Sequence, residues 1–400
     1  MFATTAPLRR EIEAAIPERP FTVEFWDGTS LPATDGEGPT FRVNSPRAAA
    51  HALRAPGQLG LGRAYVSGEV EVDDIDAVIE LLDSWKPPPL DRGEKARLML
   101  AAVRAAGLTR PPRRPASELV PSGRRHSKER DARAVRHHYD VSNDFFKLFL
   151  DESTTYSCAI FSRGAETLEA AQEEKLEMVC RKLDLKEGER VLDVGCGWGS
   201  FPLHAATRHG VSVVGITLSE PQAAEARRRA EAAGVADRVE IRVMDYRELS
   251  GERFDAIASI GMVEHVGAER IDVYARALAG LLEPGGRLLN HGIARLRHGD
   301  PEAGAFSERY VFPDAAPLHL SRVLLALERA GFIARHVEEF GADYAETLRH
   351  WARRLDENLD EAIRLAGPER VRVWRLYLRA ARNGFENGFT SIYQARCTLG

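Results

Sequence analysis

Apolar residues between positions 165 and 295 follow two alternating rhythms. In TLEAAQEEKLEMVCRKLD they recur at 168, 171, 176, 179 and 183, the spacing of one helix face, and predict a helix. VLDV, starting at Val191, is a short continuous apolar run and reads as a buried strand. FPLHAATRHG returns to helical spacing, and VSVVGI predicts a second strand. Ser219 then opens S-x-x-Q with Gln222, a capping-box pattern with Pro221 in the first turn, and the helix it starts runs to Gly234. VEIRVM, FDAIASI and RLLNHGIA predict further strands, with IDVYARALAGLL a helix between the last two. Beyond residue 320 three helical segments lead to the strand-like FTSIYQARCT. Strands alternating with helices predict an α/β fold: a doubly wound, mostly parallel sheet covered on both faces.

The first 86 residues pattern differently. FTVEFWDGTSL and TFRVNS read as short strands, and SPRAAAHALRA as a helix after a Ser45 cap, which predicts a smaller N-terminal α+β domain over 1–86. Lys86-Pro87-Pro88-Pro89 is a stiff break. A short helical stretch follows, then TRPPRRPASELVPSGRRHSKER, rich in proline and arginine, and 87–130 reads as an exposed linker to a larger domain over 131–400. From Arg104 to Arg136 there are ten Lys/Arg against three Asp/Glu. Such a strip is solvated, and it also suits anionic phosphate head groups, at ~1 kcal/mol per charge near such a surface. The whole chain carries 55 basic and 60 acidic residues, so a globally basic nucleic-acid binder is excluded and no nucleic acid is expected as a partner. No apolar run reaches the ~18 residues of a spanning helix, and the N-terminus has no signal-peptide core, which makes the expected location cytoplasmic. The four cysteines, at 158, 180, 196 and 397, show no C-x-x-C spacing; reduced thiols and no metal site are the expectation.

The candidate chemistry starts at Val191-Leu-Asp-Val-Gly-Cys-Gly-Trp-Gly-Ser200, a buried strand running into Gly195, Gly197 and Gly199 and then a helix. Glycines at such a turn let backbone approach a ligand beyond the carboxyl end of a strand. The spacing is G-x-G-x-G with Asp193 two residues ahead, and the next strand ends Gly215-Ile216-Thr217 without the acidic residue that a nicotinamide ribose calls for. A nicotinamide cofactor is therefore disfavoured. Strand, D-x-G-x-G-x-G, helix resembles class I S-adenosylmethionine (SAM) methyltransferases, whose fold is a seven-stranded doubly wound sheet.

VRHHYDVSNDFFKLFLDESTTYSCAIF resembles the signature ahead of the SAM domain in cyclopropane fatty acid synthases. VLDVGCGWGS, GITLSEPQ, SIGMVEHVG, LLNHGI, RYVFPD and YAETLRHW are similar to further motifs of that family in the same order, covering 133–400, with AYVSGEVEV a weaker match upstream. The resemblance implies an enzyme of the cyclopropane-fatty-acyl-phospholipid synthase type. Its substrate would be the cis double bond of an unsaturated phospholipid acyl chain, and its product a cyclopropane or, in a related branch, a methylene or methyl-branched precursor. It further implies SAM held by Tyr156, Ser157, Gly195, Gly197, Thr217, Leu218, Gln222, Tyr246 and Arg247. A catalytic pocket for a bicarbonate or carbonate ion, the active-site base, would map to Cys158, Glu264, His291, Ile293 and Tyr344. Phospholipid chains do not leave the bilayer freely, so reversible contact with the inner membrane surface is expected, and a homo-oligomer through 1–86 would multiply weak membrane contacts. Two departures stand out: the usual H-T-I is His291-Gly292-Ile293, and the stretch after Phe312-Pro313 is DAAPLHL where the family is glycine-rich.

Without the family motifs, each residue also has a plainer reading. Cys158 is a buried thiol, His291 a satisfied core histidine, Tyr344 part of a helix face and Gln222 only a cap. Glu264 lies beyond a strand end, which favours function, and His265 reads as structural. Phe145, Phe146 and Phe149 read as core, and His137-His138 lacks partners for a metal. Two other functions stay open: an amine N-methyltransferase on the same scaffold, and a non-catalytic SAM- or lipid-binding protein.

Overall fold

A computed structural model describes residues 4–55, 57–107, 112–120, 123–131, 133, 141–299 and 304–400. His137, His138 and the rest of the start of the signature, 135–140, lie outside the described residues. The chain forms two compact units: Met1–Leu119 with Gly304–Val311 and Gly367–Ala380, and Val120–Ala303 with Phe312–Ala366 and Ala381–Gly400.

In the first unit four short strands, β1 (Thr22–Glu24), β2 (Ser30–Leu31), β3 (Thr40–Val43) and β4 (Val70–Val72), lie in the order β2-β1-β3-β4. Its core joins Leu8, Val23, Phe25 and Leu31 to Ala101 and Ala105 of helix Arg92–Ala106. That packing corrects the reading of 87–130 as a linker. The helix begins with a full capping box between Asp91 and Glu94, and two small residues one turn apart let it lie against the core. Arg63, 5% exposed, makes a bidentate pair with Glu118 at 2.7 and 2.6 Å, and the Tyr310 hydroxyl donates to the same carboxylate at 3.2 Å. These contacts carry the unit's boundary from 86 to 119.

The second unit holds seven strands: β5 (Arg190–Val194), β6 (Ser212–Thr217), β7 (Val239–Val243), β8 (Phe254–Ile260), β9 (Leu282–Arg295), β10 (Phe332–Glu339) and β11 (Thr390–Leu399). Their order is β10-β11-β9-β8-β5-β6-β7. β5 to β9 pair in parallel, while β11 runs antiparallel to β9 and β10. One face is covered by helices Ile271–Gly280 and Leu320–Arg329, through Tyr274, Leu278, Val323 and Leu327. The other is covered by Leu168–Leu183, Ser200–His209 and Glu220–Ala232, through Leu176, Val179, Ala205 and Ala226. Phe145, Phe146 and Phe149 are fully buried, as core.

Two departures from the sequence pattern lie near the C-terminus. Four helices, not three, follow residue 320: Leu320–Arg329, Gly341–Glu357, Leu359–Ala366 and Pro368–Glu386. β10 is a strand that the pattern hides, because only Phe332 is buried and the rest of this edge strand is exposed or half-buried, so no alternation shows. In the predicted linker, Arg130 is not free for phosphate. It makes a bidentate pair with Asp314 at 2.5 and 2.6 Å, and Arg125 lies 3.5 Å from the same carboxylate.

Candidate active site

β5 leads into the glycine turn, and helix Ser200–His209 leaves it. Gly195 and Gly199 have φ of 88° and 85°, a region that residues with a Cβ avoid. A Cβ on Gly199 would also lie 2.9 Å from Ala226 Cβ, so its absence lets two helices close together. The Gly195 and Cys196 N–H groups both donate to the Ile216 carbonyl, at 3.0 and 2.9 Å, which ties the turn to the end of β6. β6 lies on one side of β5 and β8 on the other, so the strand order reverses here and leaves a crevice beyond the carboxyl ends.

A cavity fills that crevice, and all nine residues expected around a cofactor line it: Tyr156, Ser157, Gly195, Gly197, Thr217, Leu218, Gln222, Tyr246 and Arg247. Ser219 Oγ accepts from the Gln222 amide at 3.4 Å, as the capping pattern predicts. The Gln222 side chain does not complete the box: the Thr217 hydroxyl donates to its Oε1 at 2.8 Å, which leaves the Nε2 hydrogens for another acceptor. Tyr156 stacks on Trp351, ring centroids 5.1 Å apart. Arg247 is not a free cation in the wall. It donates to Asp245 at 2.7 and 2.5 Å and to Asp131 at 2.9 Å, and its guanidinium sits 5.6 Å from the Tyr246 ring centre.

Among the other residues that line the cavity, outside the cofactor candidates, are the ionisable side chains of Lys175, Asp193, His126 and Asp131. Lys175 is fully buried in helix Leu168–Leu183, with Nζ 2.9 Å from Ser157 Oγ. Burial pushes its ammonium down to about 8, against the opposing pull of Asp151, Cys158 and Asp193. Burial pushes Asp193 up to about 7, against the pull of Lys175, and its Oδ1 has no hydrogen-bond partner. The signal for Lys175 was present: it lies four residues from both Ala171 and Val179, on the apolar stripe itself, where a lysine is out of place. His126, inside the expected linker, gave no such signal.

None of the five catalytic candidates lines this cavity. Glu264 follows β8 and is nearly buried; its Oε2 has no partner and lies 3.5 Å from where a Cβ on Gly292 would stand. Burial raises it to about 7. His291 is fully buried on β9, with Nδ1 3.1 Å from Gln394 Nε2 and Nε2 without a partner. Burial, then the Lys175 and Lys182 charges, push its imidazole well below the usual range, so it is neutral. Cys158 is buried 3.8 Å from the Phe340 carbonyl, just ahead of Tyr344's helix, and burial holds its thiol far above the usual range. A thiolate is excluded there. The Tyr344 ring packs on Trp351 at 6.1 Å, one contact from Tyr156 in the wall.

The structure thus brings Glu264 beside Gly292 of β9, next to Ile293, and Cys158 beside the start of the helix of Tyr344. Glu264 reaches β9 at the edge beyond the last β8 pairing, Ile260 with His291. His291 projects from one face of β9. Its neighbours Asn290 and Gly292 face the other way, where Asn290 bonds the Tyr274 and Tyr393 hydroxyls at 2.8 and 2.6 Å. His265, which reads as structural in the sequence, is half-buried and lines the cavity; desolvation pushes its imidazole down to about 4, and its ring lies 5.5 Å from Phe312. In DAAPLHL, the Ala316 N–H donates to the Glu264 carbonyl at 2.9 Å, so this stretch braces the Glu264 turn.

The sequence model of the mycolic acid cyclopropane synthetase family matches residues 126–395. A probable fatty acid methyltransferase of Mycobacterium tuberculosis is 38% identical over 399 residues, covering 97% of this chain and 93% of that one. The cyclopropane-fatty-acyl-phospholipid synthase of Escherichia coli K12 is 33% identical over 364 residues, covering 90% and 88%. Among solved structures, mycolic acid cyclopropane synthase CmaA1 complexed with SAH and CTAB superposes with a TM-score of 0.63 at 33% identity, covering 67% of this chain and 98% of that one.

Proposed function

The chain belongs to the mycolic acid cyclopropane synthetase family, and from that premise we propose a SAM-dependent C-methyltransferase of unsaturated phospholipids. It adds a one-carbon unit to a cis double bond in an acyl chain, giving a cyclopropane or a methylene or methyl-branched precursor.

One observation carries the reading: a cavity at the reversal of strand order with a buried carboxylate and a buried ammonium in its wall. Asp193 Oδ1 needs a donor and Lys175 has protons to give, so the pair suits the ammonium and carboxylate of an amino-acid moiety. Gln222 Nε2 suits a sugar hydroxyl, and Tyr156 with Tyr246 supply apolar walls. SAM, when bound, supplies a methyl group on a positively charged sulfur.

An alkene is a weak nucleophile, so what the residues must do is position and desolvate. Holding two reactants in line removes several kcal/mol of barrier, of order 7 or more in the best cases. Apolar walls keep water from positive charge developing at the former olefin carbons. A proton must then leave. Two buried polar atoms without partners, Glu264 Oε2 and His291 Nε2, support a small oxyanion between these elements. Bicarbonate would supply the proton acceptor, held by Glu264, His291, Tyr344, Cys158 and the Ile293 backbone. Glu264 accepts its O–H, and neutral His291 and Tyr344 donate to its other oxygens.

The substrate lies in a bilayer, and helix Arg92–Ala106 supports reversible attachment at the inner membrane surface. Met99, Leu100 and Val103 are 55%, 49% and 42% exposed on one face, with exposed Arg92, Lys95 and Arg104 around them. Among the described residues no helix is long and apolar enough to cross a membrane.

The test is incubation with methyl-labelled SAM and vesicles of cis-unsaturated phospholipid. Label in the acyl chains is the expected outcome. Label confined to soluble amines turns the reading to an N-methyltransferase, and SAM binding without release of S-adenosylhomocysteine turns it to a binding protein.

A further inference from the structure

A chain of polar side chains runs behind His291, and the reaction as proposed does not use it. Glu338 on β10 takes the Lys182 ammonium at 2.7 Å, and Lys182 donates to Gln394 Oε1, also at 2.7 Å. Gln394 Nε2 lies 3.1 Å from His291 Nδ1. The contact follows from register: Gln394 is directly opposite His291 across the antiparallel β9–β11 pair, so the two side chains share a face. His291 and Gln394 are both fully buried, and Lys182 is 14% exposed, so little water competes.

Each link admits only one direction of hydrogen bonding. An ammonium has donors only, so the Gln394 atom facing Lys182 must be the carbonyl oxygen. The other end of that amide is then NH2, which can only donate. His291 Nδ1 must accept, and a neutral imidazole that accepts at Nδ1 carries its proton at Nε2. Nε2 is the buried atom that has no protein partner.

We propose that Gln394, itself oriented by Lys182, is a positioning residue that locks His291 in the Nε2–H tautomer and so makes it a hydrogen-bond donor to the active-site anion. The inference rests on the oxyanion reading above and adds a restriction to it. While the lock holds, His291 Nε2 has no lone pair and cannot take the substrate proton. The base is the anion or another group, and His291 serves only to orient it. The cost of losing the lock is an acceptor facing an anion, a repulsive contact in place of an attractive one.

The decisive measurement is the tautomer of His291 by 15N NMR of histidine-labelled full-length protein, with His291→Gln used to assign the signal. The Nε2–H pattern is expected, and a Nδ1–H pattern overturns the proposal without any need for a variant or for activity. Gln394→Glu puts an acceptor in front of Nδ1. It should move the proton to Nδ1 and lower turnover at least ~10-fold with the KM for SAM changed less than ~2-fold; a doubly protonated ring keeps Nε2–H and should keep turnover. A Gln394→Glu protein that shows the shifted tautomer but keeps wild-type turnover also overturns the positioning role. The tautomer readout stands even if no lipid is methylated, so failure of the lipid reading is told apart from failure of the lock.

Discussion

Gly292 stands between His291 and Ile293, and its lack of a side chain is tied to one neighbour. A Cβ built there falls 2.2 Å from Val263 Cγ1. Carbon atoms settle at about 3.5–4.0 Å, so the shortfall exceeds an ångström. Val263 cannot yield cheaply: it is 2% exposed, has a stiff χ1, and sits in the turn Val263–His265 that carries Glu264. The same Cβ would lie 3.5 Å from Glu264 Oε2. Gly292→Ala should therefore cost roughly 1–3 kcal/mol for overpacking. About 0.4–1 kcal/mol of that is offset because the unfolded chain loses freedom. A net loss of about 1–2 kcal/mol lowers Tm by roughly 2–8 °C, at ~2–4 °C per kcal/mol for a unit of this size. Turnover should fall as the Glu264 turn shifts. Val263→Ala alone opens a cavity at a cost of roughly 1–3 kcal/mol, but it removes the atom in the way. Urea denaturation of the two single variants and the double variant should then show a coupling of about 1–2 kcal/mol in favour of the double, with turnover partly restored. A Gly292→Ala protein as stable as the parent, or strict additivity in the cycle, would refute the argument.

Glu264→Gln should leave SAM affinity intact and lower turnover at least ~100-fold, the scale of losing one key electrostatic group, as read by release of S-adenosylhomocysteine. Glu264 is held at about 7 in the fold against 4.5 ordinarily, so the folded protein keeps a proton that the unfolded chain loses. Its contribution to stability is whole below 4.5 and lost as pH rises through 7, by about 3 kcal/mol at most, so wild type should lose stability relative to Glu264→Gln between pH 5 and 8. An unchanged difference in urea titrations contradicts that burial. All four cysteines are buried, and burial raises their thiols above the usual range, so the native protein should not react with a disulfide reagent at pH 8; prompt labelling of any of them would show an open core. Met99→Asp with Val103→Asp should weaken sedimentation with anionic vesicles about 10-fold, and added salt should weaken wild-type binding. Binding untouched by both would move the membrane contact elsewhere.

The α/β core is legible because its signals are local. β5 and β6 are short apolar runs, the helices between them keep helical spacing, and the D-x-G-x-G-x-G turn needs glycine where φ is positive. The nine residues expected around a cofactor are brought together by the same strand ends and turns, and all of them line the cavity. What the sequence hides depends on distant partners. β10 has almost no buried side chain to set a rhythm, and it exists because β11 pairs with it. A short helical stretch after the proline run is legible, but its place in the fold is not: Arg92–Ala106 reads as part of a linker until Ala101 and Ala105 meet the first unit's core. Arg247 reads as a ligand until Asp245 and Asp131 occupy it. Gln394 lies 103 residues from His291, and only strand register brings them together.

The central claim meets its most direct test in the lipids of a host expressing this chain, compared by mass spectrometry and proton NMR with those of a host expressing Glu264→Gln. The account predicts acyl chains one methylene unit heavier, with the cis olefin signal replaced by cyclopropane or exocyclic methylene protons, in the wild-type sample alone. Identical acyl chains in the two hosts, with both proteins folded and able to bind SAM, would contradict it.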